Sequence, residues 1–229
     1  MYRYARFPLL ALVILLILSG SSFAIQRTAA RLSVVEGGVG YFTPVGSNDG
    51  TVIQDFVFDG IRFEPDADRI YDDGVSLWIK YGKVINRHWQ ATAGFRYAQA
   101  DFKDTVLASS GGLDVGFFID VETPTFVQYD LEVNLDYMLT DITEVFISPY
   151  AGIGLSGGVI GATFKNFEDE YDATFAARVN FGADLRIWTA ADKRGIVTLA
   201  SVNSWDFAAS GDRPKLLQIG GALKYYFRM

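Results

Sequence analysis

The clearest pattern along the chain is a strict alternation of apolar and polar positions in runs of about a dozen residues. In 127–139 one face carries Val127, Tyr129, Leu131, Val133, Leu135, Tyr137 and Leu139. The other carries Gln128, Asp130, Glu132, Asn134 and Asp136. The run 175–187 repeats this, with Phe175, Ala177, Val179, Phe181, Ala183, Leu185 and Ile187 against Arg178, Asn180, Gly182, Asp184 and Arg186. In 217–227, Leu217, Ile219, Leu223, Tyr225 and Phe227 alternate with Gln218, Gly220, Ala222 and Lys224. A period of two is that of an extended strand with one apolar face. Wound as helices, these runs would scatter their charges around the whole circumference. Five less regular runs, 32–42, 75–85, 89–102, 145–160 and 196–207, read as further strands bounded by Gly, Asp, Asn and Pro clusters, making eight.

The connections alternate in length. Those near 86–88, 140–143 and 189–195 are short, 43–74, 103–126 and 161–173 are long, and 208–214 is intermediate. Short turns on one rim and long loops on the other predict an all-β, eight-stranded antiparallel up-and-down transmembrane β-barrel, its short turns periplasmic and its long loops extracellular. The run 52–58 is apolar enough to form a hairpin extending the barrel above the membrane, and it leaves a ten-stranded version open.

Alternation alone does not say which face is outside, since a soluble barrel turns its apolar face inward. Three features favour apolar outward. The apolar faces are about seven positions long, enough to cross a hydrocarbon layer on tilted strands. They carry Trp89, Tyr129, Tyr137, Phe175, Tyr225 and Phe227 near strand ends, as an interfacial girdle would. The opposite face is rich in Gly, Ala, Ser and Asn, as in 150–158, which suits a crowded interior.

With that orientation the interior holds Glu36, Asp130, Glu132, Asp136 and Asp184, facing Lys80, Arg96, Arg178, Arg186 and Lys224. Charges in a lumen too narrow for bulk water need partners. The five-to-five balance therefore predicts a salt-bridged, largely closed lumen, with a narrow ion path along the same residues as the alternative.

The N-terminus reads as an export signal. Arg3 and Arg6 precede the apolar run 7–18, and Ser22 and Ala24 supply small residues at the −3 and −1 positions. Cleavage after Ala24 is expected, leaving 25–229 as one barrel domain. The chain has no cysteine, which excludes disulfides, thiolate metal sites and lipoprotein processing. A formal net charge of -7 over 229 residues argues against nucleic acid as a partner.

Two segments carry a resemblance. Pro149-Tyr150-Ala151-Gly152-Ile153-Gly154-Leu155 is similar to the glycine-rich fifth strand of the OmpA-like transmembrane domain and the wider porin-like surface-protein barrels. Gly221-Ala222-Leu223-Lys224-Tyr225-Tyr226-Phe227 resembles their C-terminal strand, although Arg228 and Met229 follow the aromatic. The resemblance covers most of the chain after residue 24. It implies a bacterial outer-membrane location, and it implies that Tyr225 and Phe227 serve as a signal read by the barrel-assembly machinery. The peptidoglycan-binding activity of the longer OmpA pattern is not carried over.

Chemistry is sparse. The single histidine, His88, falls in a short turn, and the inward carboxylates are matched by basic residues, so neither catalysis nor a cofactor is expected. The first long connection is acidic, with Asp49, Asp55, Asp59, Glu64, Asp66, Asp68, Asp72 and Asp73 against Arg62 and Arg69. The third repeats this with Glu168, Asp169, Glu170 and Asp172 against Lys165. Asp66-Ala67-Asp68 hints at a calcium loop, but Ile70 and the late Gly74 break that spacing, and no metal site is assigned. The expected role is structural and surface-interactive, through acidic loops that meet lipopolysaccharide, its bridging cations, or an external ligand or host surface. A narrow channel for ions or small solutes is the alternative.

Overall fold

The computed structural model describes residues 32–45, 56–58, 61–65, 71–102, 105–110, 113–118, 125–163, 170–191, 194–210 and 215–228. The export signal, Ala24 and most of the acidic connections lie outside these residues.

Twelve strands follow one another: β1 (Leu32–Pro44), β2 (Phe56–Phe58), β3 (Ile61–Pro65), β4 (Tyr71–Val84), β5 (Trp89–Phe102), β6 (Thr105–Ser110), β7 (Leu113–Phe118), β8 (Thr125–Met138), β9 (Ile147–Thr163), β10 (Glu170–Thr189), β11 (Gly195–Ser210) and β12 (Leu216–Arg228). Eight close into one barrel in the order β1-β12-β11-β10-β9-β8-β5-β4, and the other four form a separate sheet, β2-β3-β6-β7. All barrel ladders are antiparallel, and β1 closes the ring by pairing with both β12 and β4. The ten-stranded alternative is thereby excluded. The extra strands stand outside the ring.

That second sheet is rooted in the barrel. Tyr71 of β4 opposes Phe102 of β5, and six residues further along each strand Pro65 of β3 opposes Ala108 of β6. Pro65↔Ala108 keeps the offset of Tyr71↔Phe102, one residue from that of the barrel ladder below, where the register shifts between Tyr71 and Gly74. The expected hairpin from the first long connection is present as β2–β3, and the second long connection supplies another as β6–β7.

The third connection corrects the sequence reading. Residues 161–163 and 170–173 are strand, part of one ladder running from Leu185↔Ile147 to Glu170↔Ala162. β9 and β10 have 17 and 20 residues, well beyond the roughly 9–11 that cross a bilayer. Above the membrane both faces of a strand meet water, so the alternation that identifies a strand disappears there.

Two of the short turns are fixed by side chains at their corners. Asn86 Oδ1 accepts from the backbone N–H of His88 at 2.8 Å and of Trp89 at 3.0 Å. Asp141 Oδ1 accepts from Thr143 N at 2.9 Å and Thr143 Oγ1 at 2.7 Å. Such Asx turns suit tight reversals because the side chain substitutes for a backbone carbonyl.

The two faces of the wall have opposite chemistry. Leu77, Ile79, Leu131, Leu155, Phe181, Leu199 and Leu223 point outward and are exposed, as are Trp89, Tyr129, Tyr137, Phe175 and Tyr225 nearer the strand ends. Phe227 is half-buried. The intervening polar and charged residues are buried. This apolar exterior around a polar interior is the reverse of a water-soluble barrel and is the architecture of a transmembrane β-barrel.

Candidate functional site

Charged groups of many strands converge in the lumen. Glu132 of β8 sits at its centre. Its carboxylate meets Arg96 Nε of β5 at 3.0 Å, Lys80 Nζ of β4 at 3.1 Å, and the Arg178 guanidinium of β10. Each arginine has a second acid. Arg96 donates to Asp130 at 2.7 Å, and Arg178 Nε lies 3.0 Å from Asp206 of β11. The result is a line, Asp130–Arg96–Glu132–Arg178–Asp206, across the barrel axis. Gln218 and Ser156 accept from the remaining guanidinium N–H groups, of Arg96 at 3.0 Å and Arg178 at 3.2 Å. Gln128 donates to Asp130 at 2.5 Å.

A second group lies towards the short-turn rim. Glu36 of β1 is approached by Lys224 of β12 at 3.6 Å and by Lys80 at 3.9 Å, and Trp78 Nε1 donates to it at 2.6 Å. Lys224 also contacts Asp184 of β10 at 2.9 Å and lies 4.5 Å above the Tyr150 ring. Tyr226 donates to Asp184 and lies 3.0 Å from Gln90 Oε1. Lys80 bridges Glu36 to Glu132, so the nine charged groups form one connected network.

Glycine makes room for it. Four successive inward positions in the middle of β9 are Gly152, Gly154, Ser156 and Gly158. A Cβ at Gly154 would lie 3.0 Å from Arg178 Cγ, so a larger residue there would obstruct that side chain. Gly38, Gly40 and Gly220 likewise leave the space occupied by the Trp78 ring.

The network is sealed at both ends. Towards the long-connection rim, Phe42, Ala98, Ala100, Ile160, Ala176 and Leu216 are buried. Towards the short-turn rim, Leu32, Val34, Ile196 and Tyr226 form a buried cluster with Val84 against it. Between them remains a cavity of about 10 Å³ bordered by Glu36, Lys80, Glu132, Asp136 and Arg178, about the space of one water.

Of the expected interior residues, Glu36, Arg96, Asp130, Glu132, Asp136, Arg178, Asp184 and Lys224 are buried in the lumen, and Lys80 is nearly so. Two details differ from the sequence reading. Arg186 is half-buried at the short-turn rim, donating to the Thr143 carbonyl at 3.0 Å and the Ile142 carbonyl at 3.3 Å. A register shift between Arg186 and Trp188 lies directly below it. Asp206, missing from the expected set, is buried and paired with Arg178. The five-to-five balance therefore becomes six acids (Glu36, Asp130, Glu132, Asp136, Asp184 and Asp206) to four bases among the described residues. Asp136 is the acid outside the ion-pair network, held by Asn180 Nδ2 at 3.4 Å.

His88 has no part in this. It sits on the short-turn rim, with Nδ1 2.9 Å from the Met138 carbonyl and its ring stacked on Tyr137 at 5.4 Å between centroids.

A closed antiparallel ring with an apolar exterior and a packed ionic interior defines the class, a small transmembrane β-barrel. Several solved bacterial barrels overlap this chain. The outer membrane protein OprG of Pseudomonas aeruginosa is 15% identical, with a TM-score of 0.49, covering 88% of this chain and 99% of its own. Neisserial surface protein A is 10% identical, with a TM-score of 0.47, covering 88% and 98%. Ail, the attachment invasion locus protein of Yersinia pestis, is 12% identical, with a TM-score of 0.43, covering 87% and 100% in a complex with the heparin analogue sucrose octasulfate. No family model matches this chain, and no curated protein does. The assignment of fold rests on the ladders and faces described above.

Proposed function

We propose that this chain is a non-enzymatic integral protein of the bacterial outer membrane, a closed scaffold that supports the envelope and presents its acidic long connections to the outside. The observation that carries this reading is the sealed lumen, an ionic layer packed between two apolar ends with room for about one water. A lumen filled in this way leaves the outer wall and the rims as the surfaces through which the barrel acts. The second sheet extends the long-connection rim, so the surface offered on that side is larger than eight bare strand ends. The acidic connections would meet lipopolysaccharide through bridging divalent cations, or a basic external ligand or host surface. Tyr225 and Phe227 of β12 would serve the barrel-assembly machinery at the seam where β12 meets β1.

The test is conductance. The purified barrel, refolded and inserted in a planar lipid bilayer, is expected to give no stable single-channel steps. Well-defined steps that vanish in Arg178→Gln or Glu132→Gln would overturn the closed scaffold and establish the narrow channel instead.

A further inference from the structure

The apolar wall is broken by polar side chains in the middle of β11. Its outward positions run Leu199, Ser201, Asn203, Trp205 and Phe207. Leu199, Trp205 and Phe207 are well exposed, as are Phe181 of β10 and Ile219 of β12, the ladder neighbours of Asn203. Asn203 Nδ2 donates to the Phe181 carbonyl at 3.2 Å and to Ser201 Oγ at 3.1 Å. The Asn203 side-chain oxygen receives no hydrogen bond among the described residues, and the Ser201 hydroxyl hydrogen finds no acceptor among them. One acceptor and one donor thus face hydrocarbon, which can satisfy neither.

Beside them the wall is hollow. Gly37 and Gly221 floor a shallow, open depression flanked by Val39, Leu199 and Leu223. Nothing lies within 4 Å of where a Gly37 Cβ would be. Small residues at such a place let two membrane-embedded surfaces approach closely.

We propose that this face, β11–β12–β1, is where two copies of this chain associate side by side in the membrane. Copies inserted in the same direction are related by a two-fold axis along the membrane normal, so like residues meet at like depth. The Ser201–Asn203 pair is self-complementary under that symmetry. The Ser201 hydroxyl of each copy donates to the Asn203 oxygen of the other, and the two bonds satisfy the unmet donor and acceptor of both copies. A lipid acyl chain fills the depression but offers neither donor nor acceptor at that depth, which favours the second copy as occupant.

This inference rests on the outer-membrane reading, and the two fail differently. The refolded protein is examined by sedimentation equilibrium in density-matched detergent micelles, with heat-modifiable gel migration as the check that the barrel is folded. A dimer is expected. Asn203→Leu, which makes the wall more apolar, is expected to weaken it about tenfold, and Gly221→Leu, which fills the depression, to weaken it further. Because the chain has no cysteine, Leu199→Cys and Leu135→Cys give a second readout in liposomes. The first is expected to cross-link copies under mild oxidation, and the second, on the far wall, is not. A folded wild-type barrel that stays monomeric as micelles are made scarce would overturn the proposal. So would variants that associate as strongly as the wild type. A protein that is soluble without detergent would instead remove the membrane reading itself.

Discussion

Glu132 and Leu131 are adjacent in β8, yet they occupy different solvents. Leu131 faces outward among residues whose only shared property is being apolar, and about half of its surface is exposed. Glu132 faces inward against three cations and is buried. Along the same strands, successive positions therefore obey different rules. The outer wall asks for hydrophobicity and tolerates changes of shape. The lumen asks for particular groups, because nine of its charges are matched to named neighbours and the packed interior leaves space for about one water to replace a missing partner.

The largest expected effect tests that contrast directly. Glu132→Gln leaves Lys80, Arg96 and Arg178 short of their shared carboxylate. Breaking a buried pair by removing one partner costs about 3–5 kcal/mol. Leu131→Ile should change stability by no more than about 0.5 kcal/mol, as for a surface substitution. Urea unfolding followed by tryptophan fluorescence in detergent micelles measures both. Equal losses would show that the lumen is no more specific than the wall.

Glycines give a second version of the same comparison. Gly37 and Gly38 are neighbours in β1. A Cβ at Gly38 would collide with the Trp78 ring and the Gly221 carbonyl, whereas at Gly37 it would enter open space. Gly38→Ala should displace Trp78 from its bond to Glu36 and cost about 1–3 kcal/mol, the range for overpacked interiors. Gly37→Ala should remain within about 0.5 kcal/mol of the wild type in the same unfolding assay.

The rim lies between these extremes. Arg186 ties β10 to the β8–β9 turn through two backbone carbonyls. Arg186→Ala should cost about 1 kcal/mol, the net worth of ordinary hydrogen bonds. It should speed amide exchange at Val145, the backbone donor to Asp141 within that turn, without altering exchange in the lumen.

Much of this division was legible in the sequence, and where it was not, the reasons are physical. In β8 and β10 the two solvents differ so sharply that period-two alternation names both faces residue by residue. In β11 the alternation is blurred from both sides. Ala200 and Val202 point inward, while Ser201 and Asn203 point outward, so polarity inverts at mid-strand and Asp206 no longer stands out as the next inward charge. Arg186 follows the inward parity of its strand, but parity does not give height. The position lies level with the turn, below the charged layer. The upper ends of β9 and β10 leave no alternation in the sequence, because strands standing in water have no apolar face to reveal them.

The smallest expected effect concerns the surplus acid. Asp136 has 7% of its surface exposed, and its one side-chain partner among the described residues is the Asn180 amide at 3.4 Å. No lysine or arginine among the described residues forms an ion pair with it. Asp136→Asn keeps the shape and removes a buried charge that no ion pair offsets, so it should cost no stability at neutral pH and should add a little, since a buried carboxylate without a counter-charge opposes folding. Glu132→Gln alters shape equally little and should lose stability. The difference between these two isosteric changes, read from urea midpoints on one preparation, isolates ion pairing from packing. If Asp136→Asn cost as much as Glu132→Gln, Asp136 would belong to the network after all. The lumen would then be held by its total charge rather than by the particular contacts that converge on Glu132.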